Sequence, residues 1–252
     1  AALVVTESDA SIVELCSRSS LDALIGGLLP DLDMAAAELP AVFAEAIRTE
    51  LRTRLRRLDD LVMAPVVSSV GDRELVLTPA GVLAAVPWSS LSSNHGRPVT
   101  VAQSATSWLT RTRTPLRSRS AGFVAGPRVA QADAETTAAA EAWAGATVLH
   151  GPEASAEAVS GLAGSVDVLH VSAHGRHSSE NPLFSGFELA DGPWFGYDID
   201  QLASVPDIVL LSACEVGRST LRAGEELIGM TAAWLHAGAR CVIASAAAVN
   251  DA

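Results

Sequence analysis

The chain has 252 residues, 49% of them hydrophobic, and 17 basic against 29 acidic residues leave a formal net charge of −12. That is enough to bury a substantial core, as one large domain or two small ones. So acidic a surface repels polyphosphate and sets aside nucleic acid and anionic membrane as partners.

All the basic residues are arginine and alanine is abundant, a composition that reads as coding bias rather than chemistry. Three scattered cysteines, Cys16, Cys214 and Cys241, make no disulfide framework. A reducing compartment follows, and a cytoplasmic protein is expected. There is no basic start followed by an apolar core, so no signal peptide is read, and no apolar run nears the roughly 18–20 residues that span a bilayer. The chain opens with AALVVTE and no Met, so a piece of a longer protein is expected.

In chain order, residues 3–15 read as a hairpin of two short strands around a polar turn at Glu7–Asp9. Phe43, Ile47, Leu51, Leu55, Leu58 and Val62 recur at spacings of four and three, one stripe of a long amphipathic helix with Arg48, Arg52 and Arg56 outside it. The run Arg52, Arg54, Arg56 and Arg57 is either an anion site or, as preferred, a solvated face paired with Glu50 and Asp59. ELVLT (74–78) reads as a strand ending at Pro79 and Gly81. RTRTPLRSRS (111–120) lacks apolar periodicity and reads as an exposed connection between a 1–110 subdomain and a 121–252 core.

Beyond it strands and helices alternate. AGFVA (121–125), TVLH (147–150), DVLHVSA (167–173), IVLLSA (208–213) and CVIASAAAV (241–249) read as strands. Residues 131–144, 153–164, 198–205 and 225–237 read as helices, the last with Leu227, Thr231, Trp234 and Leu235 on one face and Gly238 as a left-handed C-cap. A hairpin is expected near FELADG (187–192). The strands are apolar runs rather than alternating ones, which predicts a parallel sheet covered on both faces.

Sites in such sheets form beyond the carboxyl ends of the strands. There the 167–173 strand ends in His174-Gly175 and the 207–213 strand in Cys214-Glu215. If the two strands are neighbours, an imidazole and a thiol rise from one edge. A thiol with a pKa of about 8.5 is mostly protonated at neutral pH, and a histidine within reach can take its proton and return it to a leaving amine. Gly175 lets the backbone approach a substrate carbonyl, and the amides of Gly175 and Cys214 are natural oxyanion donors, each worth about 3–4 kcal/mol.

Competing readings are weighed against this one. A buried cysteine is usually inert core, as Cys16 and Cys241 are expected to be, inside apolar strands. His170, His174 and Cys214 suggest zinc, but four residues along a strand separate the two histidines by about 13 Å, too far to share an ion. No metal and no cofactor are therefore expected. His170 reads as a neutral core histidine and His177 as a surface residue.

VLHVSAHG, NPLFSGFELADG, DIVLLSACEVG and GEELIGMTAAWLHAGARCVIAS, in that order, resemble the CHAT domain. This is a caspase-like bacterial cysteine peptidase domain, often attached to tetratricopeptide repeats and related to separase. The resemblance is clearest over 121–251 and looser over LVLTPAGVLAAVPWSSL. It implies an α/β, caspase-hemoglobinase-like sandwich, a mostly parallel sheet with helices on both faces, plus a smaller N-terminal α+β subdomain. It also implies a cysteine endopeptidase with His174 as base and Cys214 as nucleophile, and oxyanion roles for the Gly175 and Cys214 amides.

Its implied partners are a protein substrate and a repeat domain in the same full-length chain, and its setting regulated proteolysis in bacterial defence or cell death. Asp191 and Glu215 are candidates to line a substrate pocket, with Asp198 beside them; the alternative is solvated loop acids. Relatives that cut after basic residues often carry an acid two positions before the cysteine. Here Ser212 stands there, and no basic preference is inferred. Ala247 stands where the family shows the Trp of Trp-x-Val-x-Asp, with Val249 and Asp251 in place, which implies a wider or reshaped cleft. Members also continue by a helix and a strand past the position of Ala252. The competing functions are a catalytically silent scaffold of the same fold and a hydrolase of small amides.

Overall fold

A computed structural model describes residues 1–176, 178, 184–213, 220–221 and 227–245; for 176, 220–221 and 227–228 it describes the backbone only. The chain clusters into two units, Ala1–Leu109 and Thr110–Ala252.

The first unit opens with the antiparallel pair β1 (Ala2–Val5) and β2 (Ala10–Val13). Two short helices, α1 (Arg18–Ile25) and α2 (Leu28–Ala36), lead to the long α3 (Ala41–Val62). A single turn, α4 (Val67–Val70), precedes β3 (Leu75–Leu77), which pairs in parallel with β4 (Val99–Val101). The periodic stripe of α3 buries Leu51, Leu58 and Val62 against Leu21, Leu28, Trp88 and Leu91. Each such side chain contributes about 1.5–3 kcal/mol of transfer free energy.

Two expectations for this helix are corrected. Phe43 is 63% exposed, because the buried stripe begins one residue later, at Ala44. The arginines do not pair with Glu50 and Asp59. Arg52 meets Glu45 at 3.3 Å, and Arg54 meets Asp31 at 3.0 Å while donating to the Gly26 carbonyl at 2.8 Å. Asp59 is buried instead, accepting from the Ser92 and Ser93 hydroxyls and the Ser93 amide at 2.5–3.0 Å. Cys16 follows β2 rather than lying within a strand, and is half-buried.

From α5 (Ala105–Thr112) the chain enters the second unit. There β5 (Ala121–Ala125), α6 (Ala132–Ala140), β6 (Thr147–Leu149), α7 (Ala156–Ala163) and β7 (Val168–Ser172) alternate. They are followed by β8 (Gly175–Arg176), β9 (Gly186–Leu189), β10 (Gly192–Phe195) and α8 (Gly196–Ile199). The last described elements are β11 (Ile208–Ser212), β12 (Thr220–Leu221), β13 (Leu227–Ile228), α9 (Met230–Ala237) and β14 (Cys241–Ala244).

Five strands form a wholly parallel sheet in the order β14-β11-β7-β5-β6. Every residue of β5 and β7 is buried, as expected of strands covered on both faces. One face packs Val124, Leu169, Val171, Val209 and Leu211 against α7, α8 and α9. The other packs Phe123 and Val168 against Ala139 and Ala140 of α6. The expected α/β architecture, a parallel sheet flanked by helices, is observed.

Three local differences have physical causes. Of the expected 225–237 helix, residues 227 and 228 are not helical: their backbone pairs antiparallel with β12, and the extended Gly229 (φ 165°) delays the helix to Met230. The 198–205 helix is the single turn α8, ended by tight bonds from Gln201 to Asp198 and from Leu202 to Ile199. Residues 111–119 are not a bare tether. Arg117 binds Asp207 through its amide (2.8 Å), Nε (3.0 Å) and Nη2 (2.7 Å). Arg240 donates to the carbonyls of Arg111, Thr114 and Pro115. These contacts lie at the amino ends of β11 and β14, the sheet edge opposite the one that bears His174.

Candidate active site

The strand pair on which the sequence reading depends is present. β7 and β11 are adjacent and parallel, with Ser172 opposite Ser212, and the ladder continues from the Ala173 amide to the Ser212 carbonyl at 3.3 Å. His174 follows directly. Its predicted partner Cys214 lies outside the described residues, as do Glu215 and His177.

His174 is half-buried and is held by its ring and by its main chain. Its Nε2 is 3.0 Å from the Arg128 carbonyl oxygen. A carbonyl only accepts, so this contact puts the ring proton on Nε2 and makes Nδ1 the basic nitrogen. Its own carbonyl accepts from the Glu188 amide at 2.9 Å. Gly175 then pairs with Phe187 in β9. The Glu188–His174 bond makes that a non-hydrogen-bonded pair, so the Gly175 amide is directed away from β9.

The supports of the histidine are themselves fixed. Phe187 stacks on Trp194 at 6.3 Å and Trp194 meets Trp234 at 5.7 Å, anchoring the β9–β10 hairpin to α9. Arg128 adopts φ +63°, in the left-handed region, and its guanidinium meets Glu188 at 3.0 Å. The Gly126 amide binds the Ser172 carbonyl at 2.7 Å, placing the Arg128 loop beside the end of β7.

Below this edge lies a second polar group. His170 Nε2 is 2.9 Å from Ser212 Oγ and 3.1 Å from Glu135 Oε1, and Ser172 Oγ donates to Glu135 Oε2 at 2.7 Å. The imidazole stands edge-on to Phe123 at 5.9 Å. Burial lowers the His170 pKa despite the opposing pull of Glu135, so the ring is neutral at physiological pH. Burial alone would raise Glu135. The hydrogen bonds from Ser172 and Ser212, with His170, outweigh it and hold the carboxyl below its ordinary value.

Asp191 sits at the β9–β10 turn, about 13 Å along the strand from Phe187. Its Oδ1 accepts from the Ala156 amide at 2.9 Å, completing the start of α7. Asp198 accepts from the Phe195 amide at 2.7 Å at the start of α8. Cys241 lies in β14, where burial raises its thiol pKa. Among the described residues no three or more His, Cys, Asp or Glu side chains form a metal-binding group, and no helix is long and apolar enough to cross a membrane.

Sequence reading missed Arg128 and Glu135. GPRV (126–129), a Gly-Pro turn just after a strand, marked the first as a loop facing the carboxyl edge. Glu135 carried no signal, being one of two acids, with Asp133, in the first turn of an alanine-rich helix.

A parallel α/β sheet with helices on both faces and a histidine at its carboxyl edge defines the class of domain. The chain belongs to the CHAT domain family, whose model matches residues 52–252. That family is caspase-like and peptidase-related. The match starts within α3, well upstream of the segments that carried the resemblance. No curated protein matches the chain.

Proposed function

We propose that the protein is a cysteine endopeptidase acting on protein substrates in regulated proteolysis, with His174 as base and Cys214 as nucleophile. The observation that carries the reading is the parallel, in-register pairing of β7 with β11, the two strands whose continuations bear these residues. The family membership supports the same chemistry.

In the proposed cycle, Nδ1 of His174 takes the Cys214 thiol proton, and the thiolate attacks the scissile carbonyl carbon. The amides of Gly175 and Cys214 receive the developing oxyanion. As the tetrahedral intermediate collapses, the carbon–nitrogen bond breaks and the imidazolium returns its proton to the leaving amine. Water, deprotonated by the same nitrogen, then hydrolyses the thioester and frees the thiol. The Arg128 carbonyl holds Nε2–H throughout, stabilising the imidazolium and fixing its tautomer. Asp191 and Glu215 stay in the proposal as acids near the substrate path, Asp191 with its capping role beside it.

The test is thiol alkylation by iodoacetamide near pH 6, read peptide by peptide. Cys214 should react much faster than Cys16 and Cys241, and His174→Ala should abolish the difference. Incubation with a peptide library should give internal cuts that Cys214→Ala removes. Equal, slow alkylation of all three thiols with no cuts would instead identify a silent scaffold.

A further inference from the structure

The hairpin of β1 and β2 has no part in the chemistry above, and none of its strand residues is buried. Ala2, Val4 and Val13 face inward and pack, half-buried, on the core of the first unit. Leu3, Val5 and Ile12 face outward and are 70%, 67% and 76% exposed. Leu3 stands opposite Ile12 and Val5 opposite Ala10, so these four make one apolar face.

The same residues carry the outward backbone groups. At the turn the Thr6 amide donates to the Asp9 carbonyl at 2.8 Å, which makes Thr6 and Asp9 a hydrogen-bonded pair. Such pairs alternate along an antiparallel ladder, so Val5–Ala10 and Leu3–Ile12 are the non-hydrogen-bonded ones, with N–H and C=O aimed away from the partner strand. Among the described residues, no other element bonds to the main chain of Ala10 or Ile12. Open edges are ordinarily guarded by a charge, a proline or a bulge, and the unbroken Ala-Ser-Ile-Val of β2 has none of these. A lone two-stranded hairpin is also marginal in water, and a third strand is what completes it. Just past the two ends of β2 stand Asp9 and Glu14, about 17 Å apart along the strand, and Glu7 lies in the turn. All three are exposed, and none forms a salt bridge among the described residues. No basic residue precedes Arg18, which is paired with Asp22 at 3.6 Å.

We infer that the outer edge of β2 accepts an extended segment of another protein as a third strand, a segment with aliphatic residues between two basic ones. Its main chain pairs with Ala10 and Ile12, its aliphatic side chains continue the apolar face beside Ile12 and over the small Ala10, and its basic ends meet Asp9 and Glu14. Charge selects this occupant. A second copy laid antiparallel on the same edge puts Asp9 of each chain beside Glu14 of the other, and like charges across strands repel. An anionic membrane is repelled by the same acids. The residues flanking β1 carry no charged side chain, so its edge lacks this attraction.

The probe is the amidated, fluorescein-labelled peptide Lys-Thr-Val-Thr-Ile-Arg, whose Val and Ile stand opposite Ile12 and Ala10 when it lies antiparallel to β2. Titrated with the full chain and followed by anisotropy, it should bind saturably. The same peptide N-methylated at Val and Ile keeps its charge and side chains but loses the amides that face β2, and should bind at least about tenfold more weakly. Ile12→Lys should weaken the unmethylated peptide at least about tenfold too. Ile12 is too exposed to support the core, so the urea midpoint of this variant should match that of the wild type. Equal binding of the methylated peptide reduces the contact to charge attraction and overturns strand addition, and this comparison needs no variant. No binding at millimolar peptide overturns it as well. A wild-type protein that sediments as a dimer, and as a monomer once Ile12→Lys is made, has a second copy on this edge and overturns the basic partner.

Discussion

The ring of His174 donates from Nε2 to the main-chain oxygen of Arg128, 3.0 Å away, and Arg128 reaches that position with a left-handed backbone at φ +63°. The acceptor is a peptide carbonyl, so what matters at position 128 is its dihedral angle more than its side chain. Arg128→Val puts a β-branched residue in that region and should destabilise the protein by about 1–2 kcal/mol. Arg128→Gly removes left-handed strain of about 1 kcal/mol and loses an exposed ion pair worth at most about the same, for a midpoint near that of the wild type. Urea denaturation of the two variants should rank them in that order.

Gly126 is a second backbone constraint on the histidine. A Cβ there would stand 2.5 Å from Ala173 Cβ, 2.9 Å from Ala173 Cα and 3.0 Å from the Glu188 carbonyl. None of these is the end of a flexible side chain, so the strand end must move, and His174 follows Ala173. Gly126→Ala is expected to cost about 1–3 kcal/mol. It should also slow Cys214 alkylation toward the rate of His174→Ala, which a wild-type rate would contradict.

At the opposite sheet edge Asp207 is 6% exposed and binds Arg117 and Arg240. Asp207→Ala leaves Arg240, with a side chain 15% exposed, without its anion. Removing one member of a buried pair should cost about 3 kcal/mol, read as a lower urea midpoint at pH 7.

Acid should destabilise the fold in two windows. Burial lowers the His170 pKa, so the unfolded state binds that proton more readily, and stability falls as pH drops below about 6.5. The Asp207 carboxyl is lowered chiefly by the side-chain hydrogen bond from Arg117, against the effect of burial, and Glu135 is lowered as well. Their stabilisation is present above about pH 4 and is lost as pH falls through the depressed native values. Urea midpoints measured from pH 8 to 3 should show both declines. His170→Gln should remove the upper one and Asp207→Asn should reduce the lower one.

The sheet and its edge were legible because strands buried on both faces announce themselves as continuous apolar runs. AGFVA, DVLHVSA and IVLLSA each proved to be one strand of the parallel sheet. His174 was legible for the same reason, as the first polar residue past such a run. What escaped depended on contacts between distant segments. Glu135 meets His170 and Ser212 only because α6 folds back over β7, and no local pattern records that crossing. The Arg128 carbonyl is a main-chain group and has no residue type to betray it. Leu227 fitted a helical face by spacing, but an extended glycine two residues later placed it in a strand. RTRTPLRSRS looked solvated because its partners, Asp207 and Arg240, lie about ninety and more residues away.

Among the described residues, the order β14-β11-β7-β5-β6 puts the histidine's strand in the middle, with two strands on either side. Fraying at either margin must pass through a neighbour before it reaches β7. Amide protons of Leu169 and Val171 should therefore be among the slowest in the domain to exchange with deuterium, and those of β14 and β6 among the faster. His174 stays mounted on a rigid post while the margins of the sheet breathe.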